Sequence, residues 1–165
     1  MSIVIDSASG VITLHTRHTS YQMKADALGT LLHTYYGPRT DESDLSYAIF
    51  RLNRGLSGNP HEIGNIDRSY SLDTLQQEIS CFGTGDYRTT ALKMRLENGA
   101  EALKLKFKDA AVTSGKYSIP GLPASYEDGD EGAETLTVFM EDPEAGVEAE
   151  LYYGVFPEKD MLTRA

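Results

Sequence analysis

Residues 92–108 read LKMRLENGAEALKLKFK, with Leu92, Met94 and Leu96 alternating with Lys93, Arg95 and Glu97, and Leu103, Leu105 and Phe107 alternating with Lys104, Lys106 and Lys108. A period of two sends one set of side chains to a buried face and the other to water, the pattern of a half-buried strand. Between the two runs sits Asn98-Gly99, the dipeptide favoured at the centre of a type I′ turn. A two-residue loop there opposes Met94 to Leu103 and Leu92 to Leu105, which predicts a β-hairpin.

The same period recurs on both sides of this stretch. Downstream, Leu136, Val138 and Met140 are followed by Val147, Ala149, Leu151, Tyr153 and Val155, with Asp142-Pro143-Glu144-Ala145-Gly146 between them, which predicts a second hairpin with a longer turn. Upstream, Ile12 and Leu14 alternate with Thr13 and His15, and Tyr21 and Met23 with Gln22 and Lys24, which predicts two half-buried strands. Several short strands separated by Gly, Pro, Asn and Asp point to a mainly β chain folded as an antiparallel two-sheet sandwich with little helix. Residues 37–87 lack sustained alternation and carry Gly37-Pro38, Gly58-Asn59-Pro60 and Gly83-Thr84-Gly85, so they read as a long irregular central loop. Within it only residues 73–79 suggest a short helix, with Thr74 and Gln77 spaced like a capping box.

The 165 residues suit one domain, and no apolar run approaches the roughly 18 residues of a helical membrane span. Met1-Ser2-Ile3-Val4-Ile5-Asp6 has no basic segment followed by an apolar stretch, and a cytoplasmic location is the expectation. Cys81 is the single cysteine, which excludes an internal disulfide and a cysteine-based zinc cage. A formal charge of −10 with dispersed lysines repels phosphate backbones and anionic lipid, so neither nucleic acid nor membrane is an expected partner.

Candidate chemistry is sparse. The acidic run Glu127-Asp128-Gly129-Asp130-Glu131 lies among turn residues, lacks EF-hand spacing, and reads as a solvated loop rather than a calcium or catalytic site. His15 and His18 fall on opposite faces of a strand, and His33 and His61 have no nearby ligand pattern, so no metal site is expected. Cys81 reads as buried packing before nucleophile. Tyr35, Tyr36, Tyr152 and Tyr153 could offer sugars a stacking face, but adjacent strand residues point opposite ways, so at most one of each pair lines a given surface.

Arg68-Ser69-Tyr70-Ser71-Leu72-Asp73-Thr74-Leu75-Gln76-Gln77-Glu78, followed by Gly85-Asp86-Tyr87-Arg88, resembles the amino-terminal region of the glycoside hydrolase family 36 α-galactosidases. Ser20-Tyr21, Leu32-His33 with Tyr35-Tyr36-Gly37, Phe50-Arg51-Leu52, Gly121-Leu122-Pro123 with Tyr126, and Glu134-Thr135-Leu136 occur in that family's order, so the resemblance covers essentially the whole chain. Tyr36 stands where the family often has tryptophan, and Thr89-Thr90 replaces a stretch that usually includes proline.

The resemblance implies a galactose-mutarotase-like β-supersandwich, of which residues 1–165 are expected to be a truncated part, followed in the complete enzyme by a (β/α)₈ barrel and a carboxy-terminal β-domain. A barrel needs at least about 200 residues, so none fits here. The family's retaining mechanism draws its aspartate nucleophile and its aspartate acid/base from that barrel, so this chain holds no catalytic residue, no cofactor is implied, and the isolated chain is expected to be inactive. The resemblance also implies a tetramer in which a sandwich loop reaches a neighbouring subunit's galactose pocket. The matching loop is residues 50–60, where Asn53 takes the position of a sugar contact and Arg68 is a second candidate. Both side chains suit sugar hydroxyls, which need paired donors and acceptors. The expected partners are α-galactosides of the galactose, melibiose or raffinose type and further copies of the chain. A stand-alone carbohydrate-binding module and a purely structural assembly domain are the other readings.

Overall fold

The computed structural model describes residues 2–53, 60, 67–123 and 132–165. Its strands, in chain order, are β1 (Ile3–Asp6), β2 (Val11–His15), β3 (Thr19–Ala25), β4 (Leu31–Pro38), β5 (Lys106–Ser114), β6 (Glu134–Asp142), β7 (Val147–Phe156) and β8 (Met161–Arg164), with single 3₁₀ turns at Ser46–Ala48 and Pro157–Lys159. Each strand pairs antiparallel with its sequence neighbour, in one sheet ordered β1-β2-β3-β4 and another ordered β5-β6-β7-β8. The inner faces meet in one core, where Ile3, Ile12, Leu14, Met23 and Leu31 face Leu136, Val138, Met140, Leu151, Tyr153 and Val155. This is the antiparallel β-sandwich that the alternation predicts.

The β6–β7 hairpin forms as expected, pairing Leu136 with Tyr153, Val138 with Leu151 and Met140 with Ala149. Asp142 closes its turn by accepting the backbone N–H groups of Glu144 and Ala145 at 3.1 and 3.0 Å.

The hairpin over residues 92–107 does not form. Leu96 donates to and pairs with Ala100 at 2.8 Å, and Gly99, at φ +83°, donates to Leu96 at 2.9 Å, so the turn is a three-residue loop with glycine in the left-handed position. Beyond that turn the backbone of Phe82 wedges between the arms, donating to the Leu92 carbonyl at 3.1 Å and accepting from Leu103 at 3.0 Å. Leu103 and Leu105 are buried as the alternation requires, but the Leu103 backbone bonds Phe82 in place of Met94. The wedge depends on Gly83, at φ +89°, where a β-carbon would lie 2.7 Å from the Ala102 α-carbon.

Two further expectations are corrected. Residues 73–79 form no helix: a single turn returns Leu75 N–H to the Ser71 carbonyl at 3.1 Å, after which Gln77 bridges Leu32. Thr74 and Gln77 make no capping box, because Gln77 donates instead to the Leu72 carbonyl and to Asp86 at 2.9 and 2.8 Å. Nor is β2 half-buried. All five of its residues are buried, since the central segment covers the outer face of its sheet.

The sheets are also tied through Glu78, whose side chain is 1% exposed. Its carboxylate accepts from Tyr21 of β3 at 2.5 Å, His33 of β4 at 3.2 Å and Tyr153 of β7 at 2.8 Å, and Arg164 of β8 stands 3.5 Å away. Burial alone raises the Glu78 pKa, but the hydrogen bonds from His33, Tyr21 and Tyr153, with the charge of Arg164, outweigh it and hold the group below its ordinary 4.5. Burial, followed by the Glu78 charge, pushes both tyrosines up, so they stay protonated and donating.

Glu78→Gln should destabilise the domain by roughly 2–3 kcal/mol near neutral pH, because a charge-assisted buried network loses its ion. The depressed folded pKa puts this contribution above the ordinary value of 4.5 and removes it as pH falls through the lower folded value, so urea titrations should show the gap between the two proteins closing on acidification. In the same assay Gly83→Ala should cost more than about 2 kcal/mol, combining left-handed backbone strain with the Ala102 clash.

Candidate functional site

After β4 the chain turns back across the outer face of the first sheet as a strap, residues 39–49, and this crossing buries Thr13, His15, Ser20 and Gln22. Polar bonds hold its root: Arg39 N–H donates to the His18 carbonyl at 2.7 Å, its guanidinium to the Thr16 carbonyl at 2.5 Å, and Thr40 N–H to Ser20 Oγ at 3.0 Å. Farther on, Lys24 reaches Asp44 at 2.5 Å and Ser46 at 3.2 Å. The 3₁₀ turn then delivers Ile49 to a small second core of Leu32, Tyr70, Leu72 and Leu75, with Leu28. Satellite clusters of this kind are how a long connection stays ordered on a sheet surface.

Asn53 and Arg68, the two sugar-contact candidates, lie on the surface just beyond this small core and are both exposed. Their segments are brought together one step inward. Arg51 pairs with Asp67 at 3.3 Å, and its guanidinium lies 5.5 Å over the Tyr70 ring. Tyr70 is buried and anchored through its hydroxyl to Asp26 and, at 2.9 Å, to Thr30. Asp26 is itself fixed, since it accepts the N–H groups of Leu28 and Thr30 at 2.9 Å each. The hydroxyl of Ser69, then its N–H, hold the Asp67 carboxyl below the usual range, with Arg51 adding to this. An exposed ion pair contributes little stability, so Tyr70 and Ile49 carry the anchoring and Arg51–Asp67 gives direction.

The Arg68 segment is braced from behind by the Asp86-Tyr87-Arg88 motif. Arg88 donates to the Leu72 and Leu75 carbonyls at 2.7 and 3.0 Å and grips Asp86 with two nitrogens at 2.9 and 2.7 Å. Burial raises the Asp86 pKa, but the Arg88 bonds overcome this and leave the carboxyl ionised below its ordinary value. The motif therefore acts as a brace. Chemically, the corner offers an amide, a guanidinium and the exposed ring of Phe50, a set suited to sugar hydroxyls and C–H faces. Beside it runs a cleft of about 540 Å³ lined by Ser9, Lys24, Asp26, Ile49 and Arg51.

The remaining candidates fall elsewhere. Tyr153 is buried on Glu78, Tyr36 is exposed, Tyr152 stacks on Tyr117 at 5.3 Å, and the Tyr35 hydroxyl donates to the Pro38 carbonyl at 2.9 Å. His15 is buried against Ser20 at 2.8 Å, while His18 is exposed beside Asp160 at 2.6 Å. Cys81 is buried, and burial pushes its thiol pKa up, away from a reactive thiolate. Among the described residues no three His, Cys, Asp or Glu side chains converge as metal ligands. His61, the run from Glu127 to Glu131, and residues 54–59 of the candidate loop lie outside the described residues. Sequence reasoning did not single out Glu78, Arg51 or Asp67, because each acquires its role from partners distant in the chain.

A family model described as the glycosyl hydrolase family 36 N-terminal domain matches residues 29–165. The bifunctional alpha-galactosidase/sucrose kinase AgaSK of Mediterraneibacter gnavus is 47% identical over the whole chain, which corresponds to 17% of that protein. The alpha-galactosidase AgaA of Geobacillus stearothermophilus is 33% identical over the whole chain and 22% of its own length. Among solved structures, the galactosidase domain of AgaSK superposes with a TM-score of 0.92, covering 98% of this chain and 22% of that one at 47% identity. A variant of AgaA from Geobacillus stearothermophilus solved with raffinose superposes with a TM-score of 0.85 at 34% identity, covering 94% of this chain and 21% of that one. The chain thus spans between 17% and 22% of the length of these relatives.

Tyr70→Phe should cost about 1–2 kcal/mol, since it leaves Asp26 and Thr30 without the hydroxyl they share. Hydrogen exchange should then quicken over residues 67–72 and leave the β6–β7 hairpin unchanged.

Proposed function

The chain belongs to glycoside hydrolase family 36 as its amino-terminal domain, and from that premise we propose that it serves in an α-galactosidase as an assembly domain whose 51–53 corner completes the galactose pocket of a neighbouring subunit. The observation that carries this reading is the corner itself. Asn53 and Arg68 are exposed, yet the residues just inward of them are anchored by Tyr70 and Ile49 and directed by the Arg51–Asp67 pair, so polar groups are presented outward from an anchored base. A site held to a firm scaffold but open on its outer side suits a contact completed by another chain.

In this reading the retaining hydrolysis of terminal α-galactosides belongs to a barrel domain, and the present domain supplies hydrogen bonds to the sugar and a surface for a homo-oligomer, a tetramer by family likeness. The substrate class is that of galactose-terminated oligosaccharides such as raffinose and melibiose. The net charge of −10 disfavours nucleic acid and anionic membranes as partners and does not oppose neutral sugars, and the location we propose is cytoplasmic.

The full-length enzyme should release nitrophenol from a nitrophenyl α-galactoside, and Asn53→Ala should lower its kcat/KM by roughly 10- to 100-fold, the scale of one or two lost hydrogen bonds. The 165-residue chain alone should give no turnover and no heat on titration with melibiose. Unchanged efficiency of the Asn53→Ala enzyme would make the domain purely structural, and clear melibiose binding by the isolated chain would make it a carbohydrate-binding module.

A further inference from the structure

Gln22 sits in the middle of β3 with no exposed surface, and its amide is fully used. Nε2 donates to Thr13 Oγ1 at 3.1 Å and to the Ser43 carbonyl at 2.9 Å, while Oε1 accepts from Thr34 Oγ1 at 3.1 Å and from the Leu45 N–H at 3.0 Å. Two donors and two acceptor positions exhaust what an amide offers. Half of these bonds run sideways within the sheet, to β2 and β4, and half run outward to the strap.

The sideways bonds depend on an irregularity. The β3–β4 register slips between Gln22 and Met23: Gln22 faces Tyr35 and Met23 faces His33, so Thr34 is the extra residue of a bulge. That bulge turns the Thr34 hydroxyl onto the face where the Gln22 amide lies. Thr13 and Thr34 therefore orient the amide, and the oriented amide holds the backbone of Ser43 and Leu45. No other strap contact farther along than Thr40 joins a buried sheet side chain to strap backbone among the described residues. The Lys24–Asp44 pair is partly exposed, with side chains 23% and 37% accessible, and such pairs fix position weakly.

From Leu45 the chain makes one 3₁₀ turn, sinks Ile49 into the small core and emerges at Arg51 and Asn53. We propose that Gln22 is a positioning residue for the sugar contact made by Asn53: its amide, held by the β4 bulge, sets the height and direction at which the strap delivers the 51–53 corner to ligand. This inference rests on the pocket-completing role of Asn53 and extends it inward by a buried residue that touches neither sugar nor Asn53. Glutamine suits the task because the strap presents one carbonyl and one N–H; glutamate lacks the donor and methionine lacks both.

The test uses the full-length enzyme with a nitrophenyl α-galactoside and with raffinose, comparing Gln22→Met, Asn53→Ala and the double variant. Gln22→Met keeps the side-chain volume while removing every amide bond, and it should raise KM roughly 3- to 10-fold with kcat within about twofold, as expected when a binding group is misplaced without touching the chemistry. In the Asn53→Ala background the same change should have no further effect on KM, because the group it misplaces is gone. If Gln22→Met lowers thermal stability but leaves KM unchanged, or if its effect multiplies with that of a costly Asn53→Ala, Gln22 is structural and the proposal is overturned while the Asn53 contact stands. If Asn53→Ala is itself silent, both fall. Should Gln22→Met not fold, Thr34→Val replaces it: the amide that bonds the strap is kept and one of the two hydroxyls that orient it is lost. A folded Thr34→Val enzyme should raise KM about twofold or more, again only when Asn53 is present, and an unchanged KM overturns the proposal.

Discussion

The carboxylate of Glu78 is the constraint on which the rest of the domain depends. It is buried between two sheets whose inner faces otherwise meet through non-directional apolar contact, and its donors come from β3 and β4 on one side and from β7 on the other, with the β8 cation beside them. Apolar burial can bring two sheets together but tolerates sliding of one over the other. A buried anion with fixed tyrosine, histidine and arginine partners does not. Because Glu78 also donates its own N–H to the Leu31 carbonyl at 2.9 Å, the network fixes the central segment to the edge of β4 as well.

That second attachment explains how a long, poorly patterned segment builds an ordered corner. Downstream of the strap the chain returns through Asp67 and Tyr70, turns once under the Arg88 brace, and reaches Glu78. The strap and the return path are thereby clamped to opposite parts of one sheet, and their side chains close the small core of Leu32, Tyr70, Leu72 and Leu75 between them. The corner that carries Asn53 and Arg68 is the outer lip of this assembly. Its anchoring comes from buried groups, and the groups it presents are exposed.

The relation to family 36 relatives gives these features a common sense. The chain spans about a fifth of the length of such enzymes. In the stretches that carry the resemblance, Tyr70, Glu78, Asp86 and Arg88 are each engaged in bonds that hold the central segment together, while Asn53, like Phe50 and Arg51, is exposed.

The sequence by itself determined the direction of side chains wherever a period of two persisted. Leu103, Leu105, Leu136, Val138 and Met140 are buried as their alternation requires, and the β6–β7 hairpin follows from a turn short enough to choose its own partner. Only the tertiary structure decided which backbone arrives beside which. Phe82 parts the arms of an expected hairpin, residues 73–79 give up a helix for contacts with Leu32 and Asp86, and β2 is covered on the face that its pattern assigned to water. The physical reason is that periodicity records only whether a side chain is wet or dry. A hydrogen-bonding group such as Gln22 or Glu78 is satisfied by whichever partner the fold brings near, and that partner can be dozens of residues away.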